Sequence, residues 1–330
     1  MTLSTSTFFL LNLSIFFFHN HLLRINYPVD QPNQRKIHTK QVLLSGGLFF
    51  FINISYFLAI KILLDIDYVK FLSNETEINF LIVAIVFFFL GFIDDKINLN
   101  ANLKLLFIII TLSYFFYHNT EFLIKVLRFS FINKTIYLGN YSFVFTILCI
   151  SLFINAFNMY DGINLQSGSY SLIFFIFFIL NSYNFHVSTI FILSLSLFLI
   201  KNFQTKSFLG DSGCFILSFI ISIFIIDMYK IEKIFTDQIF LLMMIPGIDM
   251  FRLFVVRLSK KKNPFKADKK HVHHLMLRFL NQKKLFLLLF LLNSLAFIMV
   301  FFKLNSFLIF MIIFLIYIFF INKKFLSTLL

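Results

Sequence analysis

Tryptophan is absent from the 330 residues, cysteine occurs twice, and charged side chains make up only 13% of the chain. Two cysteines, Cys149 and Cys214, both set in apolar sequence, exclude a disulfide framework. The low charge excludes an ordinary soluble domain, for which about a quarter of residues would be charged. Without tryptophan the usual aromatic belt at a membrane interface cannot form, so Tyr and Lys are left to anchor helix ends. The first 23 residues carry no charge and no small-residue cleavage site. They are expected to form a first spanning helix, not a removable signal peptide.

What is present is apolar. Hydrophobic residues make up 59% of the chain and the mean hydropathy is +0.89, which overrides the two or three soluble domains that length alone suggests. The 54 Phe fit an AT-rich coding bias and receive no functional meaning. Apolar windows long enough for a membrane helix, about 17–23 residues, fall near 4–23, 42–64, 78–93, 103–117, 141–158, 167–183, 185–200, 213–229, 236–257, 284–302 and 305–321. The expected fold class is therefore an all-α integral membrane protein with about eleven transmembrane helices. It forms a single polytopic domain over residues 1–330, with loops near 24–41, 94–104, 159–166, 201–212 and 258–283.

The net charge of +14 raises the question of nucleic acid, and placement answers it. Loops after odd-numbered spans, with the C-terminal tail, hold 20 of the 29 Lys and Arg. The positive-inside rule puts these loops and the C-terminus in the cytoplasm and the N-terminus outside. No nucleic-acid partner is expected. Of the 15 acids, seven fall on the cytoplasmic side: Asp30, Asp94, Asp95, Asp161, Asp211, Asp249 and Asp268. That side holds no Glu. Capping accounts for Asp30 and Asp268 and poorly for the others, which lie within or against apolar spans where Asp is costly. A helix end needs one capping Asp, whereas Asp94 and Asp95 are adjacent. Carboxylates beside basic loops point to divalent-metal and phosphate chemistry.

The loops supply candidates. Arg35, Lys36, His38 and Lys40 form a basic cluster, read as an anion clamp or as a topogenic loop, and Gly46-Gly47 permits close approach of a ligand or a helix. Asp94 and Asp95 point about 100° apart on a helix, with Lys104 as a potential counter-charge. Asn155, Asn158 and Asp161 fall at i, i+3 and i+6, roughly one helical face, with Gly162 available to end the helix. Asp211, in a tight polar turn, is either an N-cap or a hard oxygen ligand suited to Mg²⁺. His271, His273 and His274 have neither the spacing nor the neighbouring cysteines of a zinc site. On a helix His271 and His274 would share a face, and phosphate contact is the preferred reading, with an interfacial amphipathic helix as its rival.

Taken together, "DQPNQRKIH" (30–38) with "SGG", "GFIDD" (91–95) with Lys104, "NAFNMYDGINL" (155–165), "FLGDSG" (208–213), "PGIDMFRLFVVR" (246–257) and "PFKADKKHVHH" (264–274) resemble the polyprenyl-phosphate N-acetylhexosamine-1-phosphate transferase family. Each motif alone is weak, whereas six in order are specific. The resemblance implies an Mg²⁺-dependent enzyme, with Mn²⁺ as an alternative. It would move a sugar-1-phosphate, N-acetylglucosamine-1-phosphate foremost, from a UDP-sugar to undecaprenyl phosphate, releasing UMP and initiating a cell-envelope polysaccharide. The last motif resembles the lipopolysaccharide and teichoic-acid initiating branch. The implied setting is the bacterial cytoplasmic membrane, among membrane lipid, and a homodimer is open.

By the same resemblance Asp94, Asp95 and Asp211 are catalytic, with Asp211 and Asp95 at the metal. Asn155, Asn158, Asp161, Asn164, Lys104, Arg257, His271, His273 and His274 face the nucleotide sugar. Arg35, Lys36 and His38 serve the acceptor phosphate. Leu43 stands where the family has Pro, the stretch before "FLGD" is short and lacks prolines, and Asn164-Leu165 replaces an Asp-Gly. An Asn carbonyl can still accept from uracil N3–H, while Leu165 puts the backbone path in question. Two rival classes remain: a divergent scaffold, and an ion-coupled transporter. Against the transporter, no inverted repeat is evident and the acids are not at the midplane.

Overall fold

The computed structural model describes residues 2–23, 27–32, 40–63, 74–132, 134–261 and 270–321. Helices dominate: α1 Thr2–Phe18, α2 Gly46–Leu63, α3 Asn74–Ile97, α4 Ala101–His118, α5 Ser142–Tyr160, α6 Gln166–Leu180, α7 Phe185–Phe203, α8 Gly210–Lys230, α9 Thr236–Leu242, α10 Met244–Ser259, α11 Val272–Met276, α12 Gln282–Phe301 and α13 Ser306–Ile321. Two small antiparallel pairs accompany them, β1 (Val29–Asp30) with β2 (Val42–Leu43), and β3 (Val126–Arg128) with β4 (Thr135–Tyr137). Among the described residues no closed sheet occurs, and the protein is all-α and membrane-type in character.

Every one of the eleven apolar windows falls on a helix or a helix pair. Six helices have the length and composition to cross a membrane, or up to seven if α9 and α10, bent by 78°, count as one broken span. The bend falls at Met243. Pro246 sits in the first turn of α10, where its missing N–H is tolerated and a continuous helix from α9 is not. The windows at α1, α2, α6 and α13 form shorter apolar helices.

The chain forms two compact units. The first comprises Met1–Glu121 and Ser167–Ile221. There α1, α2 and α7 pack together around a polar knot: Asn12 and Asn53 exchange side-chain hydrogen bonds at 2.7 and 2.9 Å, and Asn53 reaches Ser194 Oγ at 3.3 Å. Such interhelical bonds contribute about 0.6 kcal/mol each in a membrane and fix which helix faces which. Lys61 and Glu77 form a buried pair joining α2 to α3.

The second unit comprises Phe122–Gln166 and Ser222–Leu330. Here α5 packs on α10, and α9, α12 and α13 pack together. Arg128 pins the β3–β4 pair: its guanidinium lies 4.7 Å from the Tyr229 ring, donates to Tyr229 O at 2.6 Å and pairs with Glu232. Ile163, Val272, Met276, Leu285, Leu289 and Tyr317 form one buried cluster. It seats the loop after α5 and the short α11 on the same apolar floor.

Candidate active site

In the first unit, α3 ends where Asn98 enters the left-handed region (φ +53°), a conformation Asn tolerates better than most residues. Asn100 then caps α4, accepting from Asn102 N at 3.0 Å, so only a short turn separates the helices. That turn carries Lys104 back toward the end of α3. Its ammonium pairs with Asp94 Oδ2 and donates to Asp211 Oδ2 at 2.8 Å. Asp94, 4% exposed, accepts Leu99 N at 2.7 Å through its other oxygen.

Asp95 reaches a different helix. Its Oδ1 accepts Asp211 N at 2.8 Å, and its Oδ2 accepts Ser212 N at 3.3 Å and Ser212 Oγ at 3.1 Å. A carboxylate on the first turn of α8 satisfies N–H groups that have no intrahelical partner and complements the helix dipole. Glycines allow the approach. A Cβ on Gly91 would overlap the Ser212 backbone, and one on Gly210 (φ +72°) would lie 2.7 Å from Asp95 Oδ2. Gly46 lies against the Leu209 backbone and Gly47 against the Ser212 side chain and Gly213 N, so their close approach is to protein.

Two sequence expectations need amending here. Capping does employ both members of the Asp94–Asp95 pair: Asp94 closes the turn after its own helix, and Asp95 caps α8, 116 residues away from it. Asp211 is not the N-cap reading of the turn, because it lies inside α8 and directs Oδ2 to Lys104. Lys104, read from the sequence as a potential counter-charge, does pair with Asp94 and Asp211.

The donor set is oxygen-only, apart from the ammonium of Lys104. Among the described residues no three His, Cys, Asp or Glu side chains could hold an ion alone. Hard carboxylate oxygens are the donor type Mg²⁺ takes, one or two at a time, its shell completed with water and substrate phosphate. Asp94 and Asp211, already joined through one cation, are such a pair, and Asp95 retains a second lone pair on Oδ1.

Tyr27 was missed by sequence reading. Its ring lies edge-on to Phe92 at 5.3 Å, and its buried hydroxyl has no hydrogen-bond partner among the described residues. Burial and the Asp95 carboxylate hold that hydroxyl well above the ordinary tyrosine range. Nothing in the local sequence signals it. Arg35, Lys36, His38 and Asp268 lie outside the described residues.

In the second unit, Asn155 lies on α5 and bonds Ser151 O at 2.7 Å. Asn158 follows one turn later. Asp161 is the C-cap, its N–H reaching Phe157 O at 3.2 Å. Both are half-buried, as is Asn164. Leu165, which replaces the glycine, takes φ +70°, so the backbone keeps the left-handed path that glycine favours.

His271 precedes α11 with extended backbone (φ −60°, ψ 151°), so helical spacing does not apply to it. It stacks on His273, ring centres 5.6 Å apart and planes within 6°, and His273 meets His274 at 4.4 Å. The expected pairing of His271 with His274 is thus replaced by a run through His273. His273 is 2% exposed and fills the space a side chain at Gly162 would occupy. Burial, then the neighbouring His274 and His271, lowers its pKa to about 3.

His271 Nδ1 lies 2.8 Å from Asp249 Oδ2, and Asp249 Oδ1 accepts from Arg252, Val272 N and Tyr317. Arg257 is buried in the last turn of α10. Asp249 and Arg252 were legible as an i, i+3 pair inside an apolar span. Tyr317 was not, standing as a single polar tip in an apolar helix.

Comparison with known proteins agrees with these motifs. Residues 78–229 match the model of glycosyl transferase family 4. A probable undecaprenyl-phosphate N-acetylglucosaminyl 1-phosphate transferase of Bacillus subtilis (strain 168) is 29% identical over 265 residues, covering 76% of this chain and 70% of that protein. An undecaprenyl-phosphate alpha-N-acetylglucosaminyl 1-phosphate transferase of Thermotoga maritima is 27% identical over 261 residues, covering 79% and 77%. Its namesake in Escherichia coli (strain K12) is 24% identical over 297 residues, covering 84% and 77%. The matched segment contains Asp94, Asp95, Lys104, Asp161 and Asp211, and the chain is similar to glycosyl transferase family 4 over that segment.

Proposed function

We propose that the protein transfers N-acetylglucosamine-1-phosphate, or a related N-acetylhexosamine-1-phosphate, from a UDP-sugar to undecaprenyl phosphate. UMP is released, and the product initiates a cell-envelope polysaccharide. The protein works as a multi-pass enzyme of the bacterial cytoplasmic membrane, with its basic loops on the cytoplasmic side. The observation that carries the proposal is the Lys104 ammonium shared by Asp94 and Asp211, with Asp95 locking the turn that presents Asp211. The names of the relatives support the choice of acceptor and sugar.

An oxygen of the acceptor phosphate forms a bond to the sugar-bearing phosphorus of the donor as the bond from that phosphorus to UMP breaks. One phosphoanhydride is exchanged for another, so the equilibrium lies near unity. Both substrates are anionic, and positioning with charge neutralisation supplies most of the catalysis. When bound, Mg²⁺ supplies Lewis-acid polarisation and charge neutralisation; Asp211 and Asp94 would hold it, with Asp95 fixing the turn that presents Asp211. A phosphate monoester has a second pKa of about 6 and is already largely dianionic at pH 7. The carboxylates therefore act through geometry and charge, not by removing a proton. Lys104 orients Asp94 and Asp211. Asn158, Asp161, Asn164, Arg257 and the three histidines recognise the nucleotide sugar, and Arg35, Lys36 and His38 the acceptor phosphate.

Purified protein with Mg²⁺, undecaprenyl phosphate and a panel of sugar-labelled UDP-sugars tests this. A labelled lipid product is expected, with UDP-N-acetylglucosamine the best donor. Nucleotide binding without product from any donor would favour a scaffold.

A further inference from the structure

Asp249 is 4% exposed and receives four donors. Tyr317 Oη donates to Oδ1 at 2.9 Å, Arg252 at 2.8 Å and Val272 N at 3.1 Å, while His271 Nδ1 meets Oδ2 at 2.8 Å. Arg252 Nε also donates to Tyr317 Oη at 3.0 Å, and its Nη2 to Lys270 O at 2.6 Å. Three separate stretches therefore meet at one carboxylate: α10, the entry to α11, and α13. Val272 and Tyr317 also belong to the apolar cluster beneath, so the polar contacts stand on a packed floor.

This arrangement has a chemical consequence for the histidine. A carboxylate on Nδ1 fixes the tautomer with its proton there and leaves Nε2 as the atom offered to a ligand. Nε2 is then an acceptor for a sugar hydroxyl when the ring is neutral, and a donor to phosphate when it is protonated. The bond to Val272 N fixes the backbone just after the ring. The direction of Nε2 is thus set by Asp249, and the direction of Asp249 by Tyr317 and Arg252 together.

We propose that Tyr317, on the last described helix, is a positioning residue that completes a carboxylate cage and fixes how His271 meets the nucleotide sugar. This inference rests on the transferase reading for what His271 contacts, but not for the cage itself. A role in folding alone would lower the amount of active protein and leave its Michaelis constants unchanged.

Tyr317→Phe keeps the ring in its apolar seat and removes only the hydroxyl. Two measurements are made on the purified full chain. The first is steady-state transfer: KM for UDP-N-acetylglucosamine is expected to rise about five- to tenfold, the scale of one lost positioning hydrogen bond, with KM for undecaprenyl phosphate unchanged. The second needs no activity. Diethyl pyrocarbonate labelling of His271, followed by mass spectrometry, is expected to accelerate at least about threefold as the ring is released. If the variant does not accumulate, Arg252→Lys, which loses the bond to Tyr317 but keeps a cation near Asp249, is read in the same two ways. Unchanged labelling overturns the cage. Faster labelling with both KM values unchanged overturns the positioning role. A wild-type protein without transfer activity would count against the transferase reading, and the labelling comparison would still decide the cage.

Discussion

Lys104 donates to Asp211, 107 residues further along the chain, while the same ammonium pairs with Asp94. One cation thus holds together two carboxylates that would otherwise repel each other beside an apolar helix end. Lys104→Gln leaves both without it. Breaking a buried pair costs about 3–5 kcal/mol, and partial solvent contact of Lys104 and Asp211 reduces this to roughly 1–3 kcal/mol. The variant should melt at lower temperature and transfer at least about 100-fold more slowly. Lys104→Arg should recover part of both, measured by thermal unfolding in detergent and by lipid product formation.

Asp94→Asn should lose transfer activity at pH 7 and not regain it at pH 9. The acceptor is already dianionic near neutrality, since its second pKa is about 6, so added hydroxide replaces nothing that Asp94 supplies. A strong recovery at pH 9 would instead identify Asp94 as a general base. The rate ratio of variant to wild type across pH 6–9 reads this directly.

His273 predicts an acid-sensitive fold. Its folded pKa lies near 3, below its ordinary 6.5, so the unfolded chain takes up a proton that the folded one refuses. The stability contributed by neutral His273 is complete above pH 6.5. It is lost on acidification at up to about 1.4 kcal/mol per pH unit, until the folded pKa is reached. Thermal unfolding between pH 7.5 and 5 should show this slope, and His273→Gln should flatten it.

Gly162 and Leu165 should respond in opposite ways to exchange. Gly162→Ala drives a methyl into the His273 ring and should weaken UDP-sugar binding by at least about tenfold. Leu165→Gly removes strain of about 1–2 kcal/mol at φ +70°, offset by the roughly 0.5–1 kcal/mol entropic cost of glycine. Its melting temperature and activity should change little. Calorimetric nucleotide binding and unfolding midpoints distinguish the two.

Hydrophobic runs located all the helices that fill the apolar windows, because burial of apolar surface is a local, additive signal. The motif acids were legible for the complementary reason: a carboxylate within an apolar run is costly enough to require a partner. Lys104 as counter-charge to Asp94 was legible too, but the distant partners were not. Asp95 on the first turn of α8, Lys104 on Asp211, and Tyr317 on Asp249 all join positions 68 or more residues apart, selected by packing that no local pattern encodes. The histidine segment misled for a definable reason, since helical spacing was applied to His271, whose backbone is extended. The break at Met243 does not register in hydropathy, and its signal was Pro246 within the window, which cannot continue a helix from α9.

The central claim is exchange of one phosphoanhydride for another, and its most direct test is isotope exchange. Purified protein is incubated with Mg²⁺, unlabelled UDP-N-acetylglucosamine, undecaprenyl phosphate and radiolabelled UMP. Label is expected to enter UDP-N-acetylglucosamine only when undecaprenyl phosphate is present, and not with Asp211→Asn. Saturable binding of UDP-N-acetylglucosamine with no exchange of label would contradict the claim.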